Sequence, residues 1–372
     1  MSRVKLGDVA REYKATVKDA SGLPIVGLEH LTPGEITLDR WDEGTENTFT
    51  KEFKKGQVLF GRRRAYLKKA ALAPFDGVCS GDITVIEAIP GKILPDLLPF
   101  IIQNDLLFDY AVGKSAGSLS PRVKWIDLKD YEFELPEIGK QAPMVELLQA
   151  AHAARKAYKE LIQATDDLVK SQFIEMFGDL RCNSKQLTMT PLSELILIER
   201  GGSPRPIEKY ITDSPEGVNW IKIGDATEGS IYITQTKERI TKEGTKKSRY
   251  VQPGDFLLSN SMSFGRPYIL TIDGYIHDGW LVLRDNDNLF NKIFLHTLLS
   301  SDYAMEAFES MAAGSVVKNL NKELVGKLKV PVPSMDAQTA FANFVEQSDK
   351  SKFELQQAID RIDNLIKTLI QQ

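Results

Sequence analysis

The sequence predicts an α+β fold built twice: two pseudo-repeated mixed α/β domains, each followed by one long helix, with the two helices paired antiparallel as a coiled coil. Three observations predict it. The segment AGSLSPRVKWIDLKDYEFELPEIGKQ from Ala116 returns as AGSVVKNLNKELVGKLKVPVPSMDAQ from Ala313, 197 residues later, and internal repetition constrains architecture more than any single motif. In the regions leading to both copies, Gly and Pro break the chain every 8 to 12 residues between short β-branched and apolar runs, the texture of strands and turns. After Pro143 and again after Met335 that punctuation stops for more than 30 residues, and polar, Ala-rich helix formers take over.

In chain order, residues 1–140 form the first mixed domain, 141–178 the first long helix, 185–335 the second mixed domain and 336–372 the second long helix. ITVIEAI from Ile83, FELP from Phe133 and WLVLRD from Trp280 read as strands. LLPFIIQNDLLFDYAV from Leu97 and KIFLHTLLSSDYAMEAFESM from Lys292 carry apolar residues at helical spacing. Gly178 suits the C-cap of the first long helix. Trp125, Trp220 and Trp280 lie in apolar runs and are expected in cores, with His152 on the surface of the first long helix.

In the second long helix Phe341, Val345, Ser348, Lys352, Leu355, Ile359, Ile362, Ile366 and Leu369 alternate steps of four and three, a heptad seam. The first helix repeats it at Met144, Leu148, Ala151, Arg155, Tyr158, Ile162, Thr165, Val169 and Gln172. At the constant offset Arg155 matches Lys352, Asp166 matches Asp363 and Lys170 matches Lys367. An isolated seam could pack any bundle. In a duplicated chain, with neither seam strongly apolar, each helix is expected to pair with its copy.

Bulk properties narrow the classes. A chain of 372 residues has length for two domains of about 150 residues each, and 42% hydrophobic with 26% charged residues is an ordinary globular composition. The formal charge of −4 excludes a uniformly basic nucleic-acid binder, so contact with DNA would rest on local clusters. Cys79 and Cys182 are the only cysteines, and no Cys/His pair has metal-ligand spacing, so reduced thiols and no metal are expected. MSRVKLGDVAREY lacks a signal-peptide core, and no apolar run nears the ~20 residues of a membrane span. A cytoplasmic location and no membrane partner are expected.

The motifs resemble those of the DNA-specificity (S) subunit of type I restriction-modification systems, over nearly the whole chain. They are RGGSPRP from Arg200, VNWIKIGDA from Val218, PGDFLLSNSMSFGRP from Pro253 and GSVVKNLNKELVGKLKVPVP from Gly314. In the first half the same pattern returns as KKGQVLFGRRRAYLKKA from Lys54, the segment from Ala116, and SQFIEMFGD from Ser171. The first half departs in lacking a GGSP loop and in carrying Arg62, Arg63 and Arg64 where the second has Asn260, Ser261 and Met262.

The resemblance implies two target-recognition domains that each read one half of a split, asymmetric double-stranded DNA site. A helix of about 35 residues is about 50 Å long, enough to act as a ruler for modules about one duplex turn, ~34–36 Å, apart. It further implies a non-catalytic chain, with two methyltransferase (M) subunits and possibly restriction (R) subunits as partners. S-adenosylmethionine, Mg and ATP would belong to those partners, leaving no cofactor in this chain. Consistent with that division, no Asn-Pro-Pro-Tyr/Phe tetrapeptide occurs, and GKS at Gly113 has Phe108 where a phosphate-binding loop needs glycine. The Glu-x-Lys pairs at Glu12/Lys14 and Glu52/Lys54 read as chance in a charged chain. The alternatives are a methyltransferase or nuclease acting by itself, or a scaffold that binds no DNA.

Candidate DNA contacts follow from side-chain chemistry: Lys and Arg bind phosphate, and bidentate Arg or Asn reads guanine or adenine. Lys54, Lys55, Arg62, Arg63, Arg64, Lys68 and Lys69 crowd a stretch with no acidic residue from Phe53 to Phe75. In the second half Arg200, Ser203, Arg205, Ser259, Asn260, Ser261, Ser263 and Arg266 sit on Gly-rich turns. The duplicated loops after Gly117 and Gly314 add Ser118, Arg122, Lys124, Lys318, Asn319 and Lys322 as candidate phosphate contacts.

Overall fold

Alternation along the central strands explains why each half has two cores, since successive residues of a strand face opposite sides of the sheet. In Val58–Gly61, Val58 and Phe60 enter one cluster with Leu6, Phe108 and Leu148, while Leu59 enters another with Phe53 and Val85. In Phe256–Ser259, Phe256 and Leu258 join Phe294 and Phe341, while Leu257 joins Trp280 and Val282 on the other face. This computed structural model describes residues 2–43, 48–117, 119–227, 229–260, 264–312 and 319–371. It divides into two units, residues 1–161 with 354–372, and residues 162–353.

The first unit holds a four-stranded sheet in the order Ala10–Glu12, Ile83–Ala88, Val58–Gly61, Ala70–Leu72. The second has a five-stranded sheet in the order Leu197–Arg200, Trp280–Arg284, Phe256–Ser259, Pro267–Leu270, Tyr232–Ile233. The duplication is visible in their registers: Gly61 lies opposite Ile83 and Ser259 opposite Trp280. Arg62 N donates to Asp82 O at 3.0 Å, and Asn260 N donates to Gly279 O at 2.9 Å. Arg62 O accepts from Val123 N at 3.0 Å, and Asn260 O from Leu320 N at 2.9 Å. Unlike side chains therefore share one backbone frame. Trp220 and Trp280 are fully buried, and Trp125 packs against a core from its edge.

The long helices span Ile138–Phe177 and Met335–Gln371. The first begins ahead of Pro143, and Gly178, with φ +84°, caps its end by donating to Ile174 O at 2.7 Å. A duplicated glutamine anchors each start. Buried Gln141 accepts from Leu94 N at 2.8 Å and donates to Pro136 O at 2.9 Å. Its copy Gln338 accepts from Asn291 N at 2.8 Å and donates to Pro333 O at 2.9 Å and Leu289 O at 3.0 Å.

The helices pair antiparallel within each unit, as expected. In the first, Arg155 Nη1 reaches Asp363 at 3.2 Å, and Leu148 shares a core with Ile366, Leu369 and Ile370. In the second, Lys352 Nζ reaches Asp166 at 2.8 Å, and Val169 and Phe173 share a core with Phe341 and Val345. These ion pairs are copies of each other with the helices exchanged. The remaining seam residues, Tyr158, Ile162, Leu355, Ile359 and Ile362, are buried or half-buried.

His152 departs from its expected surface position. Its ring is half-buried, 3.4 Å from Glu35 and 3.2 Å from Arg155. Burial, reinforced by the Arg155 charge and opposed by Glu35, pushes its pKa below the ordinary histidine value. Folding of residues 34–36 against the helix covers a face that heptad periodicity leaves open.

Candidate nucleic-acid interface

Three segments meet where Val58–Gly61 ends in the first unit: the arginine turn, the loop from Ala116 to Arg122, and the turn before Ile83. Arg64 N donates to Pro121 O at 2.8 Å, and Ala116 and Arg122 exchange backbone hydrogen bonds at 3.0 Å. Arg122 holds Asp82 with a fork, Nε to Oδ1 at 2.7 Å and Nη2 to Oδ2 at 3.3 Å. Arg63 donates to Ser120 Oγ and lies 3.4 Å from the same carboxylate. The hydrogen bond from Arg122, with burial opposing it and the charges of Arg122, Arg63 and Arg62 adding to it, holds Asp82 below the ordinary carboxylate range. Arg64 is exposed in the left-handed region at φ +53°. Arg64 and Lys124 are exposed, with no side-chain ion pair among the described residues.

The stretch without acids is not one basic patch in space. Lys54 and Lys55 lie at the turn that begins the strand and Arg62–Arg64 at its end, about 20 Å apart at roughly 3.3 Å per residue. Acids outside the stretch supply partners: Lys54 bridges Glu52 at 2.7 Å and Asp76 at 3.3 Å, and Lys68 bridges Asp105 at 2.6 Å. Lys69 donates to Leu28 O at 2.6 Å. Lys55 is exposed. Arg62 is half-buried, and its Nε has no hydrogen-bond partner among the described residues.

In the second unit, the RGGSPRP loop closes on the turn before Trp280. Ser203 Oγ donates to Asp278 Oδ1 at 2.8 Å, Arg205 lies 3.5 Å from Asp278 Oδ2, and Arg200 Nε donates to Asp278 O at 3.1 Å. His277 Nε2 lies 2.9 Å from Asp278 Oδ1. Burial pushes Asp278 up, but the Ser203 hydrogen bond and the charges of His277, Arg205 and Arg200 outweigh it and hold it low.

Two expected contacts are turned inward. Ser259, fully buried, accepts from Arg266 N at 3.0 Å, and Asn260, 1% exposed, donates from Nδ2 to Asp278 O at 2.8 Å. Closing the turn uses the polar atoms that would meet a base edge. Arg266, Asn319 and Lys322 are exposed, whereas Ser118, Ser261, Ser263 and Lys318 lie outside the described residues. Sequence reasoning missed Asp82, His277 and Asp278; the signal was an acid beside glycine ahead of a strand, SGD and HDG, as common in plain turns. Among the described residues no group of side chains could hold a metal, and no described helix is long and apolar enough to cross a membrane.

Fold and turns together define a duplicated protein with two mixed domains built on one backbone frame. Residues 186–363 match the family described as type I restriction modification DNA specificity domain. A putative type I restriction enzyme MjaX specificity subunit from Methanocaldococcus jannaschii is 20% identical over 94% of this chain and 88% of its own length. A chain solved in work on assembly and conformational transition of the type I R-M system superposes with a TM-score of 0.62 at 20% identity, covering 99% of this chain and 96% of that one. The type I restriction-modification S subunit from M. genitalium superposes with a TM-score of 0.56 at 15% identity, with 99% and 96% covered. These superpositions bear out the α+β fold. The resemblance that the repeated motifs predicted is borne out: the second half matches the specificity-domain family, and a specificity subunit is similar along nearly the whole chain.

Proposed function

We propose that this chain is the DNA sequence-specificity subunit of a type I restriction-modification enzyme. Its two domains read the halves of a bipartite, asymmetric duplex site, and the helix pair sets the spacer between them. It acts without catalysing: two methyltransferase subunits, and restriction subunits where the system has them, supply the chemistry with S-adenosylmethionine, Mg and ATP. The observation that carries this reading is the register-matched turn, built twice on one backbone frame and furnished with different polar side chains. Identical frames with unlike furniture suit two readers of unlike half-sites. A duplicated chain also offers equivalent docking surfaces to two copies of a partner.

Sequencing the methylome of cells with and without the gene tests it. A bipartite methylated motif should vanish with the gene, and the isolated chain with DNA, Mg²⁺ and S-adenosylmethionine should neither methylate nor cut. Inserting one heptad into the first long helix should lengthen the spacer and leave both half-sites intact. An unchanged methylome would remove the reading.

A further inference from the structure

At the end of its central strand each unit places a carboxylate among candidate DNA-contacting cations, where attraction for DNA alone would put none. Asp82 stands one residue before Ile83, and Asp278 two residues before Trp280, in turns that register equates. The partners they hold come from different places. Asp82 takes Arg122 and Arg63 from the loops flanking its turn. Asp278 takes Ser203 and Arg205 from the loop that follows the strand Leu197–Arg200. The two acids stand one residue apart in register, Asp82 opposite Arg62 and Asp278 next to the matching Gly279, and meet unrelated partners, so those partners do not account for an acid in both turns.

We propose that Asp82 and Asp278 are positioning residues for base reading, Asp82 orienting Arg122 and Arg63 and Asp278 orienting Arg205, each cancelling charge that would bind any phosphate. The proposal rests on the DNA-reading role above. A free guanidinium serves every phosphate alike, whereas one held in a carboxylate fork presents its remaining N–H groups in a fixed direction. The carboxylate also lowers non-specific affinity, because phosphate contacts bind all sequences. Both effects raise the ratio of specific to non-specific binding.

The test uses the complex with its methyltransferase subunits and three duplexes: the full site, and the site with one or the other half scrambled. Asp82→Asn should bind scrambled duplex more tightly, steepen the dependence of log K on log salt by about one, and lose about tenfold discrimination at one half-site. Asp278→Asn should do the same at the other half-site. Asp82→Glu, which restores the charge, should recover the shallow salt dependence. Equal loss at both half-sites from either variant, weaker binding to scrambled duplex, or unchanged discrimination would each overturn the proposal. A wild-type complex that ignores half-site scrambling would instead overturn the DNA-reading role.

Discussion

The two units end the same strand differently. In the first, three consecutive arginines follow Gly61, and two of them lie near Asp82. In the second, Asn260, the equivalent of Arg62, is buried in turn closure, and exposed cations come from the Arg200–Pro206 loop and from Arg266. Duplication has conserved the backbone hydrogen bonds of the turn, as the paired bonds of Arg62 and Asn260 show. It has left the supply of charge free to move between loops. The segment that lies over the turn therefore differs between the units, and the frame beneath it is a shared socket.

The largest break in the symmetry of the rods should come at Phe341 and its copy Met144. Phe341 is fully buried, with the rings of Phe173, Phe177 and Phe294 5.5, 5.6 and 6.4 Å away. Phe341→Ala should cost about 3–5 kcal/mol. Met144 packs only partly against its core, and Met144→Ala should cost about 1 kcal/mol. Denaturant midpoints measure both, and equal losses would mean the two cores are interchangeable.

A smaller difference is expected between the exchanged ion pairs. Arg155, 14% exposed, also donates to the Gly34 carbonyl, so Arg155→Ala strands two partners. Its expected cost is about 2 kcal/mol. Lys352, 27% exposed, bridges Asp166 and Asp349, both at 2.8 Å. Lys352→Ala should cost about 1 kcal/mol or less by the same measurement.

The smallest effect concerns pH. Burial pushes the pKa of His152 in the first unit, and of His277 and His296 in the second, below the ordinary histidine value of about 6.5. A depressed folded-state pKa contributes stability that is whole above the unfolded value and is lost as pH falls through the folded one. Thermal unfolding should therefore shift downward between pH 7 and 5. Fluorescence of buried Trp220 and Trp280 reports the second unit, where two of these three histidines lie. His296→Gln should flatten the acid side of its profile, and an unchanged slope would show that the ring is not held neutral.

Periodicity made the rods legible, because a seam of alternating steps and a constant offset are properties of the chain itself. The turn frame was legible for the same reason, since aligning the copies already set Arg62 against Asn260. What stayed hidden was pairing between residues distant in sequence. Asp82 meets Arg122 and Asp76 meets Lys54 only after the strands turn back, so a stretch free of acids looked more basic than it is. Asn260 misled differently: an amide suited to adenine equally suits a buried carbonyl, and only burial decides between them. The glutamine anchors, though matched at the end of the repeated segment, stand ahead of the heptad seam, and only the structure shows what their amides bond.

Those anchors bear on how force passes through each unit. With the donor and acceptor of Gln141 and Gln338 both engaged by backbone away from water, the junction of domain and rod is clamped, not hinged. A twist imposed on either mixed domain would be handed on to the helix that the glutamine anchors.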